Sequence, residues 1–327
     1  MHAWVAARKG TIGFGLQVFA LPEDSEPTKH TIRAGILAEE LGLDSFFIGD
    51  HPGYATEPWI HLAAIAAQTS RIGLGSVVNC VYHRHPAMLT RLAGDLDHIS
   101  NGRAILGLGI GWNVPEFKQL GLPFPSVKER QEALDEALEI VIGMFGEEPF
   151  SYAGKHWWTE GGHYQVRSVQ RPYPPILIAG AGEKVTLRQV AQFADVCNFG
   201  AGANTGNVRD QSDVTRKLNA LRGHCQALGR DYDSILRTHF TSWAMIAPTE
   251  SEALAKRDRY YPQGLTEEQK ITRIVGTPDQ VIPYYQSLAD AGIEYFVVQV
   301  LDATDEETFR LLATEVAPQI RTGESRS

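Results

Sequence analysis

Residues 101–116 read NGRAILGLGIGWNVPE and predict a buried strand that ends in glycines. A turn leads into a short apolar strand at 103–108, and Gly107, Gly109 and Gly111 occupy alternate positions where the strand ends. A continuous apolar strand is typical of a parallel sheet that is covered on both faces. Glycines at its end let another group approach the backbone closely, which predicts a seat for a flat or anionic ligand. A glycine-kinked strand without a ligand is the structural alternative.

Seven further apolar runs predict strands, with helical patterns between them. Strand and helix alternating eight times predicts a (β/α)8 barrel, and a doubly wound open sheet is the alternative. The eight predicted strands are 11–18, 45–49, 72–79, 103–108, 175–179, 195–199, 237–246 and 294–301.

The chain is predicted to be a single domain over 1–327, because no low-complexity linker divides it. We expect a core at about 11–318, with flexible residues at 1–10 and 319–327. Two connections, 111–174 and 242–276, exceed a minimal barrel, so insertions are predicted after the fourth and seventh strands. Long connections in compact domains are usually functional lids or mobile loops.

Composition excludes several classes of function. The 327 residues carry a formal net charge of -9 and no long basic run, which argues against nucleic-acid binding. No run of 18 apolar residues exists, so no membrane span is predicted. Three cysteines without zinc-site spacing indicate reduced thiols in a cytoplasmic protein.

Polar residues follow several predicted strands, where a barrel of this kind carries its chemistry. Asp50 and His51 follow the second strand, and a histidine can exchange a proton near neutral pH. A structural role for such a histidine is the alternative. Gln17 and Asn198 lie at the ends of the first and sixth strands.

The end of the fifth strand is the best candidate for an anion site. Gly180, Ala181 and Gly182 precede a predicted helix, whose free amides and dipole favour a phosphate group. An ordinary glycine-rich turn is the alternative. A metal-dependent hydrolase is disfavoured because His83 and His85 flank Arg84, a poor neighbour for a cation, so no metal site is predicted.

Six stretches of the chain match one family in order and spacing. The stretches are FFIGDHP, RIGLGSVVNCVYHRHPAML, LDHISNGRAILGLGIGWNVPEF, LPFPSVKERQEALDEALEIV, QRPYPPILIAGAGEKVTLRQVAQFADVCNF and IVGTPDQVIPYYQSLADAGIEYFVV. Over residues 11–318 the chain resembles the bacterial luciferase-like flavin and deazaflavin oxidoreductases, and most of all their coenzyme F420-dependent branch.

The resemblance implies a flavin or deazaflavin ring in the barrel mouth. His51 would lie beside the ring, and His51 and Asp50, which share one motif, would be the catalytic residues and would also contact the cofactor. A non-prolyl cis peptide between Ser76 and Val77 would support the ring, and Asn79 would face its polar edge. The remaining implied cofactor-binding residues are Gln17, Gly109, Gly111, Trp112, Asn113, Gly180, Ala181, Gly182 and Asn198.

One position departs from the family's sugar-phosphate dehydrogenases. They carry a Glu directly after the glycines, whereas this chain has Trp112 there and its next acid is Glu116. Oxidation of a sugar phosphate is therefore doubtful. The resemblance implies hydride transfer between F420 and a small organic substrate, in a homodimer. An FMN-dependent monooxygenase and a non-catalytic flavin-binding protein are the alternatives.

Overall fold

Eight short parallel strands form the centre of the computed structural model, which describes residues 1–53 and 55–322. Each strand pairs with its neighbours in parallel, and β3 also pairs with β4, which closes the sheet into a barrel. The strands are β1 (Gly13–Val18), β2 (Ser45–Ile48), β3 (Gly73–Ser76), β4 (Ala104–Gly109), β5 (Ile176–Ala179), β6 (Val196–Gly200), β7 (Leu236–Thr241) and β8 (Tyr295–Val300). The predicted (β/α)8 barrel is confirmed, and the open-sheet alternative is wrong.

One main helix follows each strand on the outside of the barrel. Proline at the first helical position starts α1, α2, α3 and α7, where its missing N–H costs nothing. The helices are α1 (Pro27–Glu40), α2 (Pro58–Ala66), α3 (Pro86–Ile99), α4 (Val127–Met144), α5 (Thr186–Phe193), α6 (Gln211–Leu228), α7 (Pro278–Asp290) and α8 (Glu306–Leu311).

The two predicted insertions carry the additional elements. After β4 come the helix Val114–Gln119 and an antiparallel hairpin of Phe150–Ala153 with Trp158–Gly162. After β7 come the helices Glu250–Tyr260 and Glu267–Thr272 and a small outer sheet, in which Ala244–Ile246 pairs with Ile274–Gly276.

Alternate residues of each strand face different cores, as the strand period of two requires. Outward side chains such as Leu16, Phe46 and Ile178 pack with the helices in one large apolar cluster. Inward side chains form a second, smaller cluster, which fills the barrel. The members of the inner cluster are Trp4, Val5, Phe47, Val77, Ile105, Leu177, Val196, Leu236, Phe240, Tyr295 and Val297.

The first residues of the chain close the floor of the barrel. Trp4 and Val5 lie in a short helix, Ala3–Ala6, and both are buried. Trp4 contacts the ring of Tyr295, at the start of β8, with 5.9 Å between ring centroids. The structure thus packs part of the 1–10 segment, which the sequence predicted to be flexible, against the strands. Residues 323–327 of the other predicted flexible segment lie outside the described residues.

Two predicted strands are interrupted in the structure. The run 72–79 ends as β3 at Ser76, and the short strand Asn79–Cys80 then pairs with β4. The run 237–246 ends as β7 at Thr241, because Trp243 has a positive φ of 52°. The Arg273 guanidinium lies 4.0 Å from the centre of the Trp243 indole, and Ala244–Ile246 leaves the barrel for the outer sheet. Apolar composition alone does not reveal either break.

Candidate active site

The carboxyl ends of the eight strands meet at one rim, because all of the strands run in the same direction. The predicted site residues lie on this rim or in the loops that leave it. They form two groups, one after β1 to β4 and one at β5 and β6, and the pairing of β4 with β5 makes the two groups neighbours. The first group comprises Gln17, Asp50, His51, Ser76, Val77, Asn79, Gly109, Gly111, Trp112 and Asn113, and the second comprises Gly180, Ala181, Gly182 and Asn198.

The loop after β3 carries a non-prolyl cis peptide bond, but one residue later than predicted. The bond joins Val77 and Val78, whereas the family resemblance implied Ser76 and Val77. Ser76 still pairs with Ile48 in the register of β2 and β3, so the strand continues through it and the chain turns only afterwards. Gln17 donates a hydrogen bond from Nε2 to the Val77 carbonyl oxygen at 2.8 Å, which ties the loop to β1.

The glycines of β4 admit this loop. A Cβ at Gly107 would overlap the carbonyl oxygen of Ser76, and one at Gly109 would lie 2.7 Å from Cγ2 of Val78. At Gly111, where φ is 73°, a Cβ would lie 2.6 Å from Sγ of Cys80. The protein's own chain therefore approaches these glycines closely, and cofactor binding at Gly109 and Gly111 stays a prediction.

Asn79 presents a buried acceptor. Its Nδ2 donates to the Gly107 carbonyl oxygen at 2.9 Å, while its Oδ1 has no hydrogen-bond partner among the described residues. The residue is fully buried. Because buried polar atoms are nearly always satisfied, this oxygen indicates a place for an N–H donor from a ligand or a water molecule.

Asp50 is held in a buried ion-pair network. Its carboxylate accepts hydrogen bonds from Nδ1 of His83 at 3.1 Å and from Nη1 of Arg84 at 2.8 and 2.9 Å, and the Cys80 amide donates at 3.3 Å. Burial by itself would raise the pKa of Asp50, but the hydrogen bond from His83 and the charge of Arg84 outweigh it and hold that pKa below its ordinary value.

The same network keeps His83 protonated. Burial opposes its charge, but its hydrogen bonds with Asp50 and Cys80 raise the pKa of His83 to about 10. Arg84 also contacts Glu57, at the start of α2. These contacts engage both oxygens of Asp50, so its carboxylate ties the end of β2 to the loop after β3, and its predicted catalytic role stays a prediction.

His51 forms a pair with a carboxylate that the sequence analysis did not assign to the site. Its Nδ1 donates to Oε1 of Glu116 at 2.9 Å, and the Glu116 side chain is 4% exposed. Phe19 and Trp112 border the imidazole at centroid distances of 6.1 and 5.9 Å. The signal for Glu116 was present in the sequence, because it is the first acid after the β4 glycines.

Trp112 and Asn113 connect β4 to the helix that carries Glu116. Trp112 is about half exposed (48%), and Asn113 precedes the first residue of the helix Val114–Gln119 without capping it through its side chain. Arg130 of α4 donates to the Gly111 carbonyl oxygen and fixes the start of this connection.

The turn after β5 has the features of an anion-binding site. Gly180 has a φ of 136°, Gly182 is exposed, and α5 begins at Thr186 without a side-chain cap. Lys217, buried below the turn, donates from Nζ to the Ala181 carbonyl oxygen at 2.8 Å and to Glu183 at 2.9 Å. The turn is thus rigidly held, with helix amides and a cation close by.

Asn198 supports this turn from β6. Its carbonyl oxygen accepts from the Gly180 amide at 2.9 Å. Its side-chain Nδ2 donates to Oγ1 of Thr238 at 2.7 Å, and the residue is 2% exposed. These contacts of Asn198 are with the protein and hold it beside the turn, and its predicted contact with a cofactor stays a prediction.

Known proteins define the class of this molecule. The sequence model of the family of luciferase-like monooxygenases matches residues 14–273, and the chain belongs to that family. The family and the oxidoreductase class predicted from the sequence are thus confirmed.

Two curated relatives match almost the whole chain. The F420-dependent glucose-6-phosphate dehydrogenase of Microbacterium testaceum (strain StLB037) is 29% identical over 324 residues, which cover 88% of this chain and 92% of the relative. The 5,10-methylenetetrahydromethanopterin reductase of Methanopyrus kandleri is 28% identical over an alignment of 359 residues, which covers 95% of this chain and 99% of the relative. Among solved structures, the monooxygenase RslO1 from Streptomyces bottropensis shares the fold, with a TM-score of 0.78 at 23% identity and coverage of 94% and 99%.

Residues 1–53 and 55–322 contain neither a membrane-spanning helix nor a cluster of metal ligands. No helix there is both long and apolar enough to cross a bilayer. No group of three or more His, Cys, Asp or Glu side chains in these residues could hold a metal ion.

Proposed function

We propose that this protein is an F420-dependent oxidoreductase that transfers a hydride between the deazaflavin and a small organic substrate. The observation that carries the proposal is the His51–Glu116 pair. In this pair, an imidazole is hydrogen-bonded to a buried carboxylate at the rim of a luciferase-like barrel. The curated dehydrogenase relative described above is F420-dependent according to its name. When bound, F420 supplies the hydride chemistry, while the protein provides binding, orientation and proton transfer.

The rim fits such a cofactor at two places. The Oδ1 atom of Asn79 lacks a partner among the described residues, and the polar edge of a flavin or deazaflavin ring offers an N–H donor. The turn at Gly180 to Gly182, with the start of α5 and Lys217, suits the phosphate of the cofactor tail. Gln17 holds the Val77–Val78 loop in place, and Trp112 forms a wall beside His51.

His51 would handle the proton that accompanies hydride transfer. With Nδ1 hydrogen-bonded to Glu116, proton exchange with a substrate oxygen would use Nε2. A positioned proton donor of this kind is worth about 10²–10⁴ in rate. We expect His51→Ala to lose about that factor while its thermal unfolding midpoint changes little. His98→Ala, at an exposed histidine on α3, is the control and should keep full turnover. Turnover of His51→Ala at the wild-type rate would remove His51 from the mechanism.

The substrate differs from that of the sugar-phosphate dehydrogenase relative. Trp112 replaces the acid that those enzymes carry after the glycines, and it brings an indole next to His51. We therefore expect this protein to turn over a small, non-phosphorylated alcohol or carbonyl compound faster than glucose 6-phosphate. Assaying F420 reduction with both kinds of compound tests this choice, and faster turnover of glucose 6-phosphate would reverse it.

An FMN-dependent monooxygenase is the second candidate, because the family model that matches residues 14–273 is that of the luciferase-like monooxygenases. Equilibrium binding of F420 and of FMN to the purified protein, measured side by side, separates the two. Tight binding of F420 with weak binding of FMN is the expected result. Oxygen uptake with reduced FMN would support the monooxygenase instead, and no binding of either compound would leave neither proposal standing.

Two further proposals concern the state of the protein in the cell. We infer a homodimer, because Ile60 on α2 (69% exposed) and Met88 on α3 (46%) present apolar side chains on neighbouring helices. Light scattering at micromolar concentration should give twice the chain mass of 36.1 kDa, and the monomer mass would refute it. The three free cysteines are consistent with a cytoplasmic location.

A further inference from the structure

Glu116 connects the ends of two strands through its contact with His51. It lies in the helix Val114–Gln119 that follows β4, whereas His51 follows β2. The two side chains meet at 2.9 Å between Oε1 and Nδ1, and the Glu116 residue is 3% exposed. A carboxylate can only accept a hydrogen bond, so a proton must be on Nδ1 of His51 for this contact to form.

We propose that Glu116 is a positioning residue, which keeps a proton on Nδ1 of His51 so that Nε2 is the atom that exchanges a proton with the substrate. The inference rests on the proposed function and deepens it. In the reduction direction, the N–H bond at Nε2 of the imidazolium breaks, an O–H bond forms at the substrate oxygen, and His51 is left neutral with its proton on Nδ1. The hydride comes separately from the reduced deazaflavin.

The surroundings of His51 support this role for Glu116. Among residues 1–53 and 55–322, Phe19 and Trp112 border the imidazole with rings that carry no charge. Asp50 precedes His51 in the chain, but its carboxylate is bound to His83 and Arg84. Because histidine tautomers are set by the hydrogen bond that one ring nitrogen makes, the buried Glu116 carboxylate is placed to set this one.

Close packing of two chain segments holds the His51–Glu116 pair in place. A Cβ at Gly53 would lie 3.3 Å from Cγ of Glu116 and 2.7 Å from Oε1 of Gln119, so the chain after His51 passes closely over this helix. The imidazole and the carboxylate are thus held on two backbone segments that pack on each other, and pre-organised orientation is what a proton donor requires.

The test reads the position of the proton directly and needs no substrate. The side-chain nitrogens of His51 are assigned in ¹⁵N-labelled protein by comparison with His51→Gln, and their protonation is then recorded in the wild type, Glu116→Gln and Glu116→Leu. Gln119→Leu, on the same helix, is the control. We expect a proton on Nδ1 in the wild type and in the control. In Glu116→Gln the amide oxygen still accepts from Nδ1, so much of this preference should remain, whereas Glu116→Leu should shift the neutral ring toward Nε2–H.

Two results would overturn the proposal. One is a neutral wild-type ring with its proton on Nε2, and the other is an unchanged tautomer in Glu116→Leu. With an active preparation, Glu116→Leu should also lower kcat by about 10²-fold with KM nearly unchanged, with partial recovery in Glu116→Gln. If the wild type turns over no substrate but the tautomer responds as expected, the proposed function fails while the positioning role stands.

Discussion

Asp50→Asn tests the structural role of this residue in its ion-pair network. The change keeps the size of the side chain and removes its charge. In the structure the Asp50 side chain is 1% exposed, and its two cationic partners, His83 and Arg84, are 3% and 20% exposed. Loss of the carboxylate charge leaves the buried His83 cation without its anion and Arg84 with Glu57 as its remaining carboxylate partner among these contacts.

The expected loss of stability follows from this burial. Removing one partner of a buried ion pair typically costs about 3–5 kcal/mol, because an uncompensated charge remains. His83 can release its proton and so relieve part of the penalty, and Arg84 keeps its contact with Glu57. We therefore expect the lower end of the range, about 3 kcal/mol in the free energy of unfolding at pH 6.

The loss should depend on pH in a defined direction. The pKa of Asp50 is held below its ordinary value of 3.8, so its contribution is present above that pH and disappears as the pH falls through the lowered value. The pKa of His83 is raised from 6.5 to about 10, so its contribution is complete below pH 6.5 and disappears as the pH rises toward 10. The difference between wild type and Asp50→Asn should be greatest at about pH 4–6.5 and should shrink toward pH 10.

Urea unfolding of both proteins at several pH values measures this difference, and ¹⁵N spectra of His83 report its protonation. Glu57→Gln is the matched control, because Glu57 also contacts Arg84 but its side chain is 39% exposed. It should cost less than about 1 kcal/mol. An Asp50→Asn protein as stable as the wild type at pH 6, or a His83 that titrates near its ordinary pKa in the wild type, would refute the network described here.

Two further predictions test the packing of the barrel. Gly109→Ala should cost about 1–3 kcal/mol and weaken cofactor binding, because its Cβ would lie 2.7 Å from Val78 and displace the loop after β3. Gly223→Ala, where a Cβ meets nothing within 4 Å in α6, should be neutral or slightly stabilising, and equal effects in the two thermal melts would contradict this. Trp4→Ala should lower the free energy of unfolding by about 3 kcal/mol, since it empties the barrel floor. Trp158→Ala, at a side chain that is 68% exposed, is the control and should change the free energy of unfolding by less than about 0.5 kcal/mol. A similar loss of stability in both variants, measured by urea unfolding, would contradict a structural role for Trp4 at the floor of the barrel.

The barrel was predictable because its signal is local. Short apolar runs and capping residues repeat along the chain, and each can be recognised without knowledge of the others. The breaks in strands 3 and 7 were not predictable in this way. They depend on contacts between distant segments, such as the pairing of Asn79 with Leu108 and the placement of Arg273 over Trp243.

The site was predictable as a set of positions but less so as a set of roles. Strand ends locate His51 and the Gly180 turn, since parallel strands share one rim. Sequence cannot show which polar group is already engaged, however. The carboxylate of Asp50 is bound by His83 and Arg84. The side chain of Gln17 is hydrogen-bonded to Val77 and Gln299. Glu116, by contrast, points inward to His51. Each of these outcomes depends on side-chain directions that only the folded barrel defines.

The packing of Trp4 against the strand starts has a practical consequence for handling the molecule. Met1 is 64% exposed, and His2 is held by a hydrogen bond from its imidazole to the Tyr173 carbonyl oxygen. The amino terminus therefore emerges on the side of the molecule away from the catalytic rim. An affinity handle attached there would anchor every molecule to a sensor chip in one orientation, with the entrance for ligands turned toward the flowing solution.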